Sequence, residues 1–353
     1  MKILGIETSC DETAAAVVED GQRLLSNAVL SSMDLHKVYG GVVPEIAARS
    51  HVEAISPVIE QALTDAKCSW DDLDGIAVTY GAGLGGSLLI GVMTARTLAI
   101  VKKKLLYGIN HVEGHVYANF LTSTSLPGYH LPAEQPTFPL LALIVSGGHS
   151  QLVLFRDHFD YTLLGQTRDD AIGEAFDKVA KILGLPYPGG PSIAEAAKRG
   201  NPNKYQLPKA KMHGAYDFSF SGPKTAVLRL AQELCGQDYA FPSFKLAGLL
   251  NESQKQDIAA SFQRVAIETV GDKALQAYTE FQPASVVIAG GVAANQELRR
   301  QLSQRLPLPI AYTDPKLCTD NGAMIATLGC FKATLGQPTA DPYSLEIAPN
   351  LSM

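Results

Sequence analysis

The chain opens on an alternation of apolar runs and polar turns. Ile3-Leu4-Gly5-Ile6 reads as a short strand, Glu7 to Glu12 as a polar turn and Thr13 to Val18 as a returning strand, together a hairpin. From Pro44 to Leu63 the residues Ile46, Ala47, Val52, Ile55, Val58, Ile59 and Leu63 recur at helical spacing, with Pro57 as a kink point. Leu73 to Tyr80 predicts a buried strand, followed by a glycine-rich loop and a helix of small residues over Ser87 to Val101. A short strand and a helix from near His111 come next.

Thr122 to Pro139 carries four prolines among Ser, Thr and Gly, which marks a domain boundary. Beyond it the pattern restarts. Leu140 to Val145 reads as a strand, Ser146 to Ser150 as a glycine turn and Leu152 to Phe155 as a returning strand. Asp169 to Leu183 is amphipathic, with Ile172, Phe176, Val179, Ile182 and Leu183 on one side. Gly184 to Pro191 and Gly200 to Gly214 read as loops and Asp257 to Phe281 as a helix. Ser285 to Ala289 is a buried strand running into Gly290-Gly291, with a helix beginning near Asn295. Two halves thus share one order: hairpin, helix, strand, glycine loop, helix. This predicts a duplicated α/β architecture with a ligand cleft between the halves, where glycine loops at strand ends let backbone N–H groups face the ligand.

The length of 353 residues fits two domains. With 46% hydrophobic and 18% charged residues, the chain has enough apolar surface to exclude bulk disorder. The net charge of −6 excludes indiscriminate nucleic-acid affinity, and Lys102-Lys103-Lys104 is the one evident basic run. Five cysteines, with no CxxC, argue against a disulfide framework and for a reducing compartment. Glu7 interrupts the opening before an apolar leader forms, and five glycines plus Arg96 interrupt Gly75 to Val101. Neither a secretory signal nor a membrane span is expected, which points to the cytoplasm.

Several groups of residues carry candidate chemistry. Gly81-Ala82-Gly83-Leu84-Gly85-Gly86 matches GxGxxG, but the acidic residue a dinucleotide site needs about 20 positions later is missing. A tight turn and a phosphate-contacting loop both remain open. His111 and His115 lie four apart, which on a helix brings both imidazoles to one face for a single metal ion. Two unrelated histidines are the alternative. Glu113 falls one position later than the zinc-protease pattern requires, about 200° around the helix from His111 at about 100° per residue. Asp320, in Cys318-Thr319-Asp320-Asn321-Gly322, could complete a two-histidine, one-carboxylate set, or could simply cap the helix that follows. Val145 to Ser150 and Gly290 to Asn295 place glycines after buried strands, where backbone can approach a nucleotide. Asp177 either contacts a ligand or pairs with Lys181, as Glu174 pairs with Lys178. Asp11 and Glu12 are candidate general-base or ligand-contacting carboxylates, or parts of a solvated turn.

Taken together, the motifs resemble the universal tRNA N6-adenosine threonylcarbamoyltransferase family. The matching pieces are Gly5 to Thr13, Gly40 to Glu45, His111 to His115, Val145 to His149 and Gly173 to Lys178. They continue through Tyr187 to Pro191, Phe218 to Gly222, Gly290 to Asn295 and Cys318 to Ala323, in order over nearly the whole chain. The resemblance implies an α/β fold of the actin/sugar-kinase/Hsp70-like class, two duplicated RNase H-like domains around a nucleotide cleft. The first domain would span 1–125, completed by 323–353, and the second 138–322. The implied reaction moves threonylcarbamoyl from threonylcarbamoyl-AMP to adenine N6 beside the tRNA anticodon, releasing AMP. His111, His115 and Asp320 would hold one divalent metal, iron or alternatively zinc. Ile144, Val145, Ser146, Gly147, Gly148, Asp177, Gly190 and Asn295 would hold ATP or the adenylate. The implied partners are tRNA, a degenerate paralogue, a small P-loop ATPase and a separate synthase that makes the adenylate. The helices over Pro44 to Leu63 and Ser87 to Val101 are candidates for the paralogue's interface. Ala82 and Gly85 replace an expected proline and a larger apolar residue, Pro223 replaces a leucine, and Gly236 to Gln256 is longer than the pattern.

Adenine N6 is a poor nucleophile because its lone pair is delocalised, so the carbonyl must arrive activated as a mixed anhydride. The protein's part is then positioning and charge stabilisation, and no Ser-His-Asp or Cys-His arrangement is needed. Two other classes stay open on residues alone: a metallopeptidase, and a regulatory ATP-binding module without transferase activity.

Overall fold

The computed structural model describes residues 1–310 and 312–353. The chain forms two compact units, Met1–Pro136 with Ala311–Met353, and Thr137–Ile310. The division falls inside the proline-rich stretch, and residues 312–322, expected with the second domain, group with the first unit.

The first unit contains β1 (Lys2–Glu7), β2 (Glu12–Glu19), β3 (Arg23–Ser31), α1 (Met33–Lys37), α2 (Pro44–Asp65), β4 (Gly75–Gly81), α3 (Gly85–Lys102), β5 (Leu105–Asn110), α4 (His111–Tyr117) and β6 (Ser123–Thr124). The second contains β7 (Leu140–Val145), β8 (Ser150–Asp157), β9 (Asp160–Gln166), α5 (Ile172–Leu183), α6 (Gly189–Ala197), α7 (Ser221–Leu234), α8 (Ser243–Leu246), α9 (Glu252–Phe281), β10 (Ser285–Ala289) and α10 (Gln296–Arg305). The chain then returns α11 (Gly322–Thr334) to the first unit.

The first sheet runs β5-β4-β1-β2-β3-β6 and the second β10-β7-β8-β9. In each, a central strand (β1, β7) pairs antiparallel with its hairpin partner and parallel with a later strand (β4, β10). This is the duplication expected from the hydrophobic pattern. Strand β3, between β2 and β6, the edge strand β9 and the helices α6 and α7 lie beyond what the hydrophobic pattern predicts, and α6 begins inside the expected Gly184 to Pro191 loop. α5 starts at Ile172 rather than Asp169, because the two preceding aspartates bond elsewhere. Asp169 accepts from Ser219 Oγ (2.5 Å) and Phe220 N (2.8 Å), and Asp170 pairs with Lys178 and Lys224, both at 2.6 Å. Pro223 is accommodated because it lies in the first turn of α7, where a missing N–H costs nothing.

β1 is buried on both faces, which is why it reads as an apolar run. Leu4 and Ile6 pack with Ile55, Val58 and Ile59 of α2 and Val92 and Ala95 of α3. α2 continues through Pro57 as one helix. The other face of β1 meets α11 at very close range: a Cβ on Gly5 would lie 2.3 Å from Gly322 O and 2.4 Å from Ala326 N. This approach fixes the N-terminal end of α11 against the sheet. α3 is long and apolar enough to cross a membrane by length and composition, yet Leu88, Val92, Ala95 and Ala99 are buried within the first unit. The run Lys102 to Lys104 closes α3: Lys102 Nζ stands 5.3 Å over the Trp70 ring and Lys104 Nζ donates to Leu73 O at 2.6 Å.

Candidate functional site

β5 ends at Asn110, whose side chain caps α4 by accepting from Val112 N at 2.9 Å. The next residue is His111, and one helical turn later comes His115, the rings 4.7 Å apart between centroids. Asn321, not Asp320, caps α11, accepting from Met324 N at 3.0 Å. Asp320 therefore has another job. Its Oδ1 lies 3.6 Å from His111 Nε2 and 3.3 Å from His115 Nε2, and the three ligand atoms all fall within 4.8 Å of one another. Both ring nitrogens of His115 are buried without a hydrogen bond among the described residues. A buried imidazole left this way is costly, and a cation bond removes the cost. Nitrogen and oxygen donors this close suit one ion with bonds of about 2 Å, so the residues fit a divalent metal.

A fourth residue, Glu7, stands behind this group and was read in the sequence only as the start of a polar turn. It is fully buried at the end of β1. It accepts from Ser9 N (2.6 Å) and from Thr79 Oγ1, and its Oε2 lies 3.3 Å from His111 Nδ1. Such a carboxylate fixes the ring and leaves Nε2 for the metal. Burial works to lower the His111 pKa, but Asp320 and Glu7 overcome it and raise it to about 9. In other words, without a cation the site captures a proton.

Asp11 and Glu12 follow in the β1–β2 turn. Asp11 is buried, and Ser31 Oγ donates to Glu12 at 3.2 Å. Burial, then Asp320 and Asp11, push the Glu12 carboxyl up to about 9. Burial, Asp11 and Asp320 likewise raise the Cys10 thiol, which keeps it out of nucleophilic chemistry. Glu113 belongs to another environment: it is buried, burial pushes it up to about 7, and Lys332 works against that rise. It is not in the ligand group. The glycine loop Gly81 to Gly86 is a packing turn. A Cβ on Gly81 would stand 2.2 Å from Ala348 O, and one on Gly83 2.6 Å from Ser9 O.

The second unit holds a cavity of about 780 Å³, within the range of about 300–1,000 Å³ usual for small-molecule sites. Gly147, Asp177, Gly190 and Asn295 line it. Ile144 and Val145 are buried in β7, and neither they nor Ser146 and Gly148 line the cavity. Asp177 makes no ion pair with Lys181 among the described residues, whereas Glu174 and Lys178 pair at 2.9 Å. Instead Asp177 Oδ1 accepts from Gly189 N at 2.6 Å. Burial raises the Asp177 pKa, the Gly189 N–H lowers it and Glu174 raises it. Asn295 caps α10 through Glu297 N (3.0 Å) and donates to Gln263 Oε1 (3.1 Å). Lys198, Arg264 and Arg300, none singled out in the sequence, add cationic groups to the wall. They come from α9, α10 and the end of α6, so no local spacing marks them.

The family described as tRNA N6-adenosine threonylcarbamoyltransferase matches residues 23–327. Among curated relatives of that name, the protein of Thermomicrobium roseum is 51% identical over 95% of this chain and 93% of its own length. That of Dehalococcoides mccartyi is 45% identical over 100% and 99%, and that of Desulfitobacterium hafniense 48% over 100% and 98%. Two solved structures share the fold at low identity. Full-length HypF in its phosphate- and nucleotide-bound form has a TM-score of 0.55 at 14% identity, over 94% of this chain and 55% of that one. Component A of the Acidaminococcus fermentans (R)-2-hydroxyglutaryl-CoA dehydratase has a TM-score of 0.50 at 15% identity, over 95% and 99%. The fold is of the actin/sugar-kinase/Hsp70-like class, and neither a peptidase nor a transferase-inactive module is favoured. The chain belongs to the tRNA N6-adenosine threonylcarbamoyltransferase family.

Proposed function

We propose that this protein is an acyltransferase that moves threonylcarbamoyl from threonylcarbamoyl-AMP to N6 of the adenosine beside the tRNA anticodon, releasing AMP. The observation that carries the reading is full-length identity of 45% to relatives bearing that name. The fit of His111, His115 and Asp320 to a metal supports it. In this reading those three residues hold one divalent ion, iron in the first instance. Such an ion supplies Lewis-acid polarisation and orientation to carbonyl or phosphate oxygens.

Adenine N6 attacks the carbamoyl carbon, the bond from that carbon to the adenylate oxygen breaks, and AMP leaves with the electron pair. The N6 proton needs an acceptor, and of the two candidate carboxylates Asp11 and Glu12 it is assigned first to Asp11, because a Glu12 carboxyl pushed up to about 9 holds its own proton at neutral pH. Asp177 is assigned to the adenylate ribose, since a carboxylate accepts from both hydroxyls. Gly147, Gly190 and Asn295 are assigned to the rest of the nucleotide, with Ile144, Val145, Ser146 and Gly148 shaping the strand end beside it. Lys198, Arg264 and Arg300 offer countercharge for its phosphate.

Partner proteins complete the reading. Val52 of α2 and Leu89, Met93 and Val101 of α3 are 47–66% exposed, an apolar face suited to a related subunit. A degenerate paralogue is assigned to it, with a small P-loop ATPase and an adenylate-producing synthase as further components. The compartment is assigned as the cytoplasm, in keeping with five cysteines and no CxxC. The test is nucleoside analysis of tRNA after incubation with labelled donor and these partners. Labelled threonylcarbamoyladenosine is expected. Unmodified tRNA with all components present would refute the reading.

A further inference from the structure

Between Glu195 and Asp217 the chain has no acidic residue, and in that interval stand Lys198, Arg199, Lys204, Lys209 and Lys211. In a protein of net charge −6 this is a concentrated positive segment. All five side chains are exposed. The backbone beneath them is tied along α9. Asn201 N donates to Asp257 Oδ1 (2.7 Å), Tyr205 N to Ser261 Oγ (3.2 Å), and Arg264 Nε to Pro202 O (2.8 Å). Gly200 lies so near α9 that a Cβ there would stand 2.0 Å from Gln256 O.

The charges are not all spent internally. Lys209 is held by Glu268 (3.0 Å) and Asp272 (2.8 Å), and Lys198 and Arg199 share Glu195. Lys204 and Lys211 make no ion pair among the described residues. Lys198 and Pro202 also line the cavity assigned to the adenylate, so the segment starts at that site's edge.

We propose that residues 198–211 form an anchored basic strap that contacts the phosphate backbone of the RNA substrate beside the cavity. The proposal rests on the transferase reading. A row of exposed cations on a fixed backbone matches a polyanion, since each cation that meets a phosphate releases counterions. An acidic protein fits less well. Protein interfaces are built around an apolar core, and among the described residues no exposed large hydrophobic side chain lies between 198 and 213.

The test uses the full chain and unmodified tRNA, with binding followed by fluorescence anisotropy from 50 to 200 mM salt. The K204A/K211A pair should reduce the slope of log K against log salt by about 1.4–1.8, at about 0.7–0.9 per lost phosphate contact. Affinity at physiological salt should fall about tenfold or more, and K204E/K211E should fall further. AMP affinity and the melting temperature should stay at wild-type values. Unchanged slope and affinity in both pairs would overturn the proposal. So would affinity lost without a change in slope, or loss of a protein partner with tRNA binding intact. Failure of the transferase reading appears separately, as wild-type protein that leaves tRNA unmodified.

Discussion

Replacing Glu7 by Gln keeps the shape of the side chain and removes its charge. Three donors converge on this buried carboxylate: Ser9 N on Oε1, and Thr79 Oγ1 and His111 Nδ1 on Oε2. An amide keeps one acceptor oxygen. Its best orientation leaves that oxygen toward Thr79 and His111 and turns an NH₂ toward Ser9 N–H, donor against donor. One hydrogen bond to a charged group is lost, costing about 1.5–3 kcal/mol. The larger consequence falls on His111, whose ring loses a charged partner. Changing a group that orients a metal ligand typically lowers metal affinity about 10- to 100-fold, or about 1.4–2.8 kcal/mol. The assay is competition with a chelating dye, alongside metal content of the purified protein. The melting temperature serves as the folding control for the unit that carries Glu7, and AMP affinity as the control for the other unit, whose cavity is the one proposed for the nucleotide. A Glu7→Gln variant that binds AMP normally and holds metal as tightly as wild type would refute the reasoning.

The pH behaviour of the same site follows from His111. Its metal-free pKa is raised from the ordinary 6.5 to about 9, so its protonation stabilises the metal-free fold fully below pH 6.5, and that contribution is lost as pH rises toward 9. A metal must displace that proton, so metal affinity and the rise in Tm on adding metal should both grow over the same window; a flat profile contradicts the assignment. Asp177→Asn should weaken AMP binding by about 1.5–3 kcal/mol with little change in Tm; a collapse of Tm with unchanged affinity would make the residue structural. Gly5→Ala forces a Cβ against backbone atoms at 2.3 and 2.4 Å and should cost about 3 kcal/mol, the upper part of the overpacking range. Because α11 must then move, metal affinity should fall with it, measured by urea unfolding and dye competition.

The alternation of apolar and polar residues was enough to find both hairpins, the helical histidine pair and the duplication, because these depend on local periodicity. What stayed hidden depends on distant contacts. Glu7 looks like a turn residue until β4 and α4 close over it with Thr79 and His111. Asp320 and Asn321 are equally good caps by chemistry, and only the structure shows Asn321 accepting from Met324 N while Asp320 faces the two histidines. The glycine loop Gly81 to Gly86 matched a ligand motif, yet its glycines admit Ser9 and Ala348. The Lys102 to Lys104 run is visible as a block, while the cations of 198–211 are spaced out over a backbone that only contacts with the distant α9 hold in place.

On the proposed reading, one chain couples AMP release to modification of tRNA adenosine and needs its histidine-aspartate group to do so. A single-turnover reaction with donor, tRNA and partner proteins, quantifying AMP and threonylcarbamoyladenosine together, tests it most directly. Wild-type protein should give the two products in equal amounts, and His115→Ala, with metal lost, should give neither above background. Equal product from His115→Ala, or AMP released by wild type without modified adenosine, would contradict the account.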